Sequence, residues 1–151
     1  MKRFAFTMIE LVFVIVILGI LAAVAIPRLA ATRDDAEITK GRSDVAAIRA
    51  GIVSERQSRL LTGNSAFIAS LDVNATQNAT GQSLFDNNNI LMYGITSANG
   101  NGHWMKTGVN TYTYQVMNQP VTFTYTQANG TFTCNRNAAG NAGTFCQNLI
   151  D

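Results

Sequence analysis

The stretch that decides the fold is Met1-Lys2-Arg3-Phe4-Ala5-Phe6-Thr7-Met8-Ile9-Glu10, continuing through an uncharged run from Leu11 to Ile26 and closed by Pro27-Arg28. A helix rises about 1.5 Å per residue, so Phe6 to Ile26 spans roughly 30 Å, the thickness of a hydrocarbon layer. Glu10 is out of place there. A charge at the centre of a membrane helix costs about 2.5–3.5 kcal/mol on insertion scales, and less near an end. An acid inside such a run marks a functional site until its partner is found. Three readings compete for the segment: a cleaved secretory signal with Ala23-Val24-Ala25 as its small-residue exit, a simple anchor, or a device that uses Glu10. The length of the apolar run, the acid at its entrance and the helical pattern that continues past Pro27 all count against the secretory signal.

From Arg28 the pattern is that of an amphipathic helix over 28–62. Leu29, Ile38, Val45, Ile48 and Ile52 fall at spacings that place them on one face, and the alanines at 30, 31, 36, 46, 47 and 50 add propensity. Arg33, Asp34, Glu37, Lys40, Asp44 and Arg56 are expected on the opposite face. Gly41 weakens the middle by up to about 1 kcal/mol relative to alanine. Gly63 is placed to cap the end. Pro27 lacks an N–H and is expected to kink or open the helix, with Gly19 a second soft point. The result is one helix of about 55 residues, apolar all round in its first half and amphipathic in its second. Such a rod is too long for the core of a domain this small, and its apolar half requires lipid or copies of itself.

At 151 residues the chain has room for one domain behind that segment. Its net charge is +2, and without Lys2 and Arg3 it is close to neutral, so no basic surface argues for nucleic acid. Beyond Leu60 the charged side chains are Asp72, Asp86, Lys106, Arg136 and Asp151, in a background of Asn, Thr, Gly and Ser. That composition suits an extracytoplasmic domain. Cys134 and Cys146 agree: without a Cys-x-x-Cys pair or clustered histidines, a disulfide explains them better than a metal, two separate buried thiols being the alternative. Residues 64–111 are the hardest to read. Ser65–Leu71 suits a short helix or strand, Ile90-Leu91-Met92-Tyr93 a buried strand, and Gly100-Asn101-Gly102 a turn. From Thr111 the alternation is plain. Residues 112–116, 121–125 and 131–134 predict a three-strand antiparallel meander over about 111–134. Asn118-Gln119-Pro120 and Ala128-Asn129-Gly130 supply its turns, and its inner face should lie on the helix stripe over 45–60. The tail 135–151 is expected over or beside the sheet edge. The fold class is therefore α+β.

No catalytic set emerges. His103 is the only histidine, no serine has a base in a recognisable frame, and no glycine-rich phosphate loop is present. The three carboxylates past the helix are too few for a calcium cage. The reading is of a non-enzyme with no cofactor and no metal.

The opening stretch carries a resemblance. Phe6-Thr7-Met8-Ile9-Glu10-Leu11-Val12, with the basic leader before it and Gly19 and Pro27 after it, is similar to the type IV pilin and type II secretion pseudopilin family. The resemblance implies a long helix packed on an antiparallel sheet, and a leader of residues 1–5 cut by a prepilin peptidase between Ala5 and Phe6. It implies N-methylation of the new Phe6 amine and a helix over 6–27 that spans the membrane. Residues 28–151 would form the periplasmic or extracellular domain. The subunit would wait in the inner membrane, in lipid, until an assembly platform moved it into a periplasmic pseudopilus or a cell-surface pilus. There it would pack on copies of itself or other pilin-like subunits, with the Glu10 carboxylate meeting a neighbour's Phe6 ammonium. Gly19 and Pro27 would bracket the part of the helix free to lose its hydrogen bonds. One residue departs from the pattern: the family has glycine before the cut, and this chain has Ala5. A membrane-anchored binding module for a surface, DNA or an exported substrate is the alternative.

Overall fold

The computed structural model describes residues 6–151, with the side chains of 27–31 excepted. Contacts within the chain divide it into two units at the Asp35–Ala36 bond. Helix α1 runs from Met8 to Leu61 and belongs to both. It is followed by β1 (Ser83–Leu84), β2 (Ile95–Thr96), β3 (Trp104–Gly108), β4 (Thr111–Val116), β5 (Gln119–Thr126), β6 (Thr131–Cys134) and α2 (Asn141–Ile150). This is an α+β layout of the pilin type. Helical backbone continues through Gly19 and Pro27.

α1 ends as the sequence predicts. Gly63 takes a φ of +82°, its N–H donates to the Leu60 carbonyl at 3.1 Å, and the Asn64 N–H reaches back to Arg59 at 2.9 Å. These two bonds form a Schellman motif, which requires the left-handed residue that glycine supplies most cheaply.

The sheet is an antiparallel meander in the order β3-β4-β5-β6. It has four strands, not three: the missed one is Trp104–Gly108, paired with β4 from Trp104↔Tyr114 to Gly108↔Thr111. The β4–β5 turn is Met117-Asn118, both with positive φ, one residue earlier than expected. That two-residue geometry matches the twist of the flanking strands. Pro120 consequently sits inside β5, past the reach of β6, whose pairing stops at Phe123↔Cys134. There β5 is an edge and tolerates the missing N–H.

The core lies between the sheet and the second part of α1. Val45, Ile48 and Ile52 are buried against Trp104, Tyr112, Tyr114, Phe123 and Phe132, with Phe85 and Leu84 closing one side. Most of the aromatic rings meet edge-on or tilted, for example Phe85–Trp104 at 5.5 Å between centroids and Trp104–Phe123 at 5.3 Å, while Phe123 and Phe132 stack at 5.1 Å, arrangements their quadrupoles favour. Gly41 and Gly51 are contact points on the helix: a Cβ on Gly41 would enter the Tyr114 ring, and one on Gly51 the Ile90 carbonyl. Here close approach outweighs the helix-propensity cost.

Two further expectations are corrected. Ile90–Tyr93 is not a buried strand; Ile90 is buried, but Met92 and Tyr93 are exposed. No regular element forms over 65–71. The tail, for which the sequence named a place beside the sheet but no element, carries α2 in contact with β5; Leu149 packs at Gly41, and Arg42 donates to the Asn148 carbonyl at 2.9 and 2.7 Å near the helix C-terminus.

The charged face of α1 is also not where periodicity puts it. Glu37 is 8% exposed, with its carbonyl accepting from the Tyr114 hydroxyl and its carboxylate from the Met117 N–H. Lys40 donates to the Gly102 carbonyl, and Asp44 accepts the Trp104 indole N–H at 3.0 Å. Burial lifts the Asp44 carboxyl above its ordinary range, and the Trp104 bond pulls it partly back. Arg56 lies over the Phe67 ring at 4.0 Å. These side chains rim the core and hold loops to the helix. Over 42–54 the exposed positions are Arg42, Ser43, Ala46, Ala47, Ala50, Val53 and Ser54.

Candidate functional site, the helix N-terminus

Four backbone N–H groups at a helix start have no intrahelical acceptor, and in hydrocarbon no water replaces one. Thr7 and Glu10 address this directly. The Glu10 N–H donates to Thr7 Oγ1 at 3.2 Å, while the Thr7 N–H and hydroxyl both donate to Glu10 Oε2 at 3.0 Å. The Leu11 N–H then donates to the Thr7 carbonyl at 3.2 Å and the helix is under way. This is a reciprocal capping box. Glu10, read from sequence as an acid in search of a partner, has one three residues upstream. Thr7 is the residue that sequence reasoning passed over. Its signal was present, since Thr-x-x-Glu before an apolar run is the written form of the motif.

Beyond the cap, Met8–Ile26 has a mean hydropathy of 3.1, none of it buried within the chain. It is long and apolar enough to cross a membrane. Phe6, which precedes the cap, is 82% exposed. The structure thus brings Phe6, Thr7 and Glu10 together at one helix end. Gly19 lies further along, with open space around it. The backbone of Pro27 is helical. Ala5 and the leader 1–5 lie outside the described residues, so the proposed cut and the first half of its recognition site are not part of this geometry.

At the other end of the chain, Cys134 on β6 and Cys146 on α2 are joined, with Cα atoms 5.8 Å apart. The bridge holds α2 to the sheet. A second fastening is buried. Asp72 is 3% exposed and accepts Lys106 Nζ at 2.7 Å, the Tyr112 hydroxyl, and the Ala75 N–H at 3.2 Å. Burial is the main cause that raises the Tyr112 hydroxyl well above its ordinary value, with Asp72 adding to it. Among the described residues no three His, Cys, Asp or Glu side chains gather in a way that could hold a metal.

Residues 1–26 match the family described as the prokaryotic N-terminal methylation motif. A 51-residue stretch is 45% identical to the type II secretion system core protein G of Pseudomonas aeruginosa, covering 34% of this chain and 36% of that protein. The match therefore spans about a third of that relative. No solved structure matches the chain. The resemblance carried by Phe6 to Val12, with the leader before it, stands on both similarities.

Proposed function

We propose that this chain is a structural subunit of a type IV filament, either the pseudopilus of a type II secretion system or a pilus. In this reading a prepilin peptidase cuts between Ala5 and Phe6 and the Phe6 amine is methylated. The precursor rests in the inner membrane through Met8–Ile26 and then polymerises by packing those helices against one another. The domain that follows contributes an outer coat and performs no chemistry. The observation that carries this is the capped, wholly unburied stretch Met8–Ile26, whose first turn holds Glu10 close in sequence to Phe6.

The capping box suggests how the subunit tolerates its carboxylate before assembly. An unpaired buried carboxylate is very costly, and hydrogen bonds from Thr7 offset part of that cost while the subunit lies in lipid. During assembly the carboxylate turns to the ammonium of a neighbour's Phe6. A buried pair of this kind sets register more than it adds stability. Only the subunit with the correct offset then avoids leaving both charges unpaired.

Glu10→Leu tests the reading. Membrane fractionation should find the variant inserted as before, while electron microscopy should find filaments lost. Normal filaments from Glu10→Leu subunits would overturn the pairing. Mass spectrometry of the mature chain checks the processing step: the expected N-terminus is a methylated Phe6, whereas a start after Ala25 would mean a secreted protein.

A further inference from the structure

We propose that Asn99 is a site of spontaneous covalent modification, converting to aspartate and isoaspartate, and that the fold suppresses the same reaction at Asn101 and Asn129. The chain contains three Asn-Gly pairs, Asn99-Gly100, Asn101-Gly102 and Asn129-Gly130. This dipeptide is prone to cyclisation because glycine has no side chain to shield its backbone nitrogen. The Gly nitrogen, on losing its proton, attacks the Asn Cγ; the C–N bond to the side-chain amide breaks and ammonia leaves. The product is a five-membered succinimide. Water adds to either of its carbonyls and opens it to aspartate or to isoaspartate, with no oxidant or cofactor required.

The structure separates the three pairs by what the two reacting groups are doing. At Asn101 the Gly102 N–H donates to the Gln115 carbonyl at 2.8 Å, and the Asn101 side-chain oxygen accepts the Asn118 N–H at 2.7 Å. At Asn129 the Gly130 N–H donates to Thr126 at 2.9 Å, and the Asn129 oxygen takes both the N–H and the hydroxyl of Thr131 at 3.2 and 2.7 Å. In both, the nucleophile is tied down and the electrophile is held. Asn99 differs. The Gly100 N–H makes no hydrogen bond among those of the described residues. The Asn99 side chain is exposed and its oxygen accepts one long bond, 3.3 Å, from Gln115 Nε2. Gly100 has a φ of +145° and open space where a Cβ would stand, so its backbone is free to swing toward Cγ.

The product matters because of where it forms. Asn99 lines a groove of about 310 Å³ together with Asn78, His103, Met105 and Gln115, and no Asp, Glu, Lys or Arg lines it. Conversion places the first carboxylate in that groove, with His103 the ionisable side chain that shares it. The isoaspartate form also adds a backbone atom to the loop that precedes β3.

Peptide mapping by mass spectrometry tests this on the full chain in detergent, incubated in mildly alkaline buffer with the disulfide intact, and in parallel in urea. Each event adds about one dalton, and fragmentation assigns it to a residue. In the folded chain Asn99 should convert at least about ten times faster than Asn101 and Asn129, the factor that freeing one hydrogen bond supplies. In urea the three rates should converge, and Asn99→Gln should remove the fast event without changing unfolding followed by Trp104 fluorescence. Equal rates at all three sites in the folded chain, or a faster event at Asn101 or Asn129, would overturn the proposal.

Discussion

The two parts of α1 solve opposite problems. Over Met8–Ile26 every side chain is apolar except Glu10, and none of that surface is buried within the chain. Over residues 36–61 the apolar side chains Val45, Ile48 and Ile52 are fully enclosed, and several charged side chains are spent on this chain's own loops and sheet. One part covers its apolar side chains within the chain; the other leaves its apolar surface uncovered by the chain. Helix propensity alone does not say what a helix packs on. The division of charge does. In the second part much of the charge is drawn inward to fasten the domain, leaving an outward face mostly of serine and alanine, with Arg42 and Val53 among them.

The largest expected effect falls on a buried charge of the domain that this second part of the helix supports. Asp72→Ala leaves Lys106 and the Tyr112 hydroxyl without their shared acceptor at a site where the carboxylate is 2% exposed. Removing one partner of a buried pair costs about 3–5 kcal/mol. Urea unfolding followed by Trp104, the only tryptophan and a fully buried one, measures it. A loss below about 1 kcal/mol, the scale of an exposed pair, would mean that Asp72 is not a fastening. Cys134→Ser comes next. Opening a loop this short should cost about 3 kcal/mol in the chain-entropy model, read by the same fluorescence. Two free thiols in the exported protein would refute the bridge.

Much of this was legible, and the failures have physical causes. The period-two stretches over 112–134 and the Gly63 cap gave three strands and one helix end correctly. Strand β3 was missed because Lys106 interrupts its alternation. That lysine points to Asp72, so a charge stands where the pattern expects an apolar residue. Helix α2 was missed because it lacks start signals. Its N-cap is Gly140 with no side-chain bond, and Gly143 in its first turn packs against the carbonyls of Arg136 and Ala138. At the functional end, Glu10 was conspicuous as a charge among apolar residues. Thr7 was not, because a hydroxyl raises no electrostatic alarm; only its spacing from Glu10 marks it.

A smaller effect concerns alkali. Burial, foremost, raises the hydroxyls of Tyr112, Tyr114 and Tyr125 above their ordinary value near 10. The folded chain therefore keeps these protons to higher pH than the unfolded one. Stability is fully present below the unfolded value, and it falls as pH rises through that value toward the folded ones. Trp104-monitored urea midpoints should be flat from neutral pH to about 9 and drop above about 10. A midpoint that stays level through this range would show that the three hydroxyls are not buried as described.

The smallest expected effect on folding falls on the outward face of the second part of α1. Ala50 lies on the outward face of the second part, between Ala46 and Ser54. If that face has no role in the domain itself, Ala50→Glu should change stability by less than about 0.5 kcal/mol, the difference in helix propensity being only a few tenths. A larger loss would mean that the domain needs this face. The same variant also bears on the filament. A charge buried against another subunit would lack a partner, so assembly should fail while the Trp104 unfolding curve stays where it was. Normal filaments from Ala50→Glu subunits would assign assembly to the apolar helix alone, leaving the serine and alanine face merely solvated.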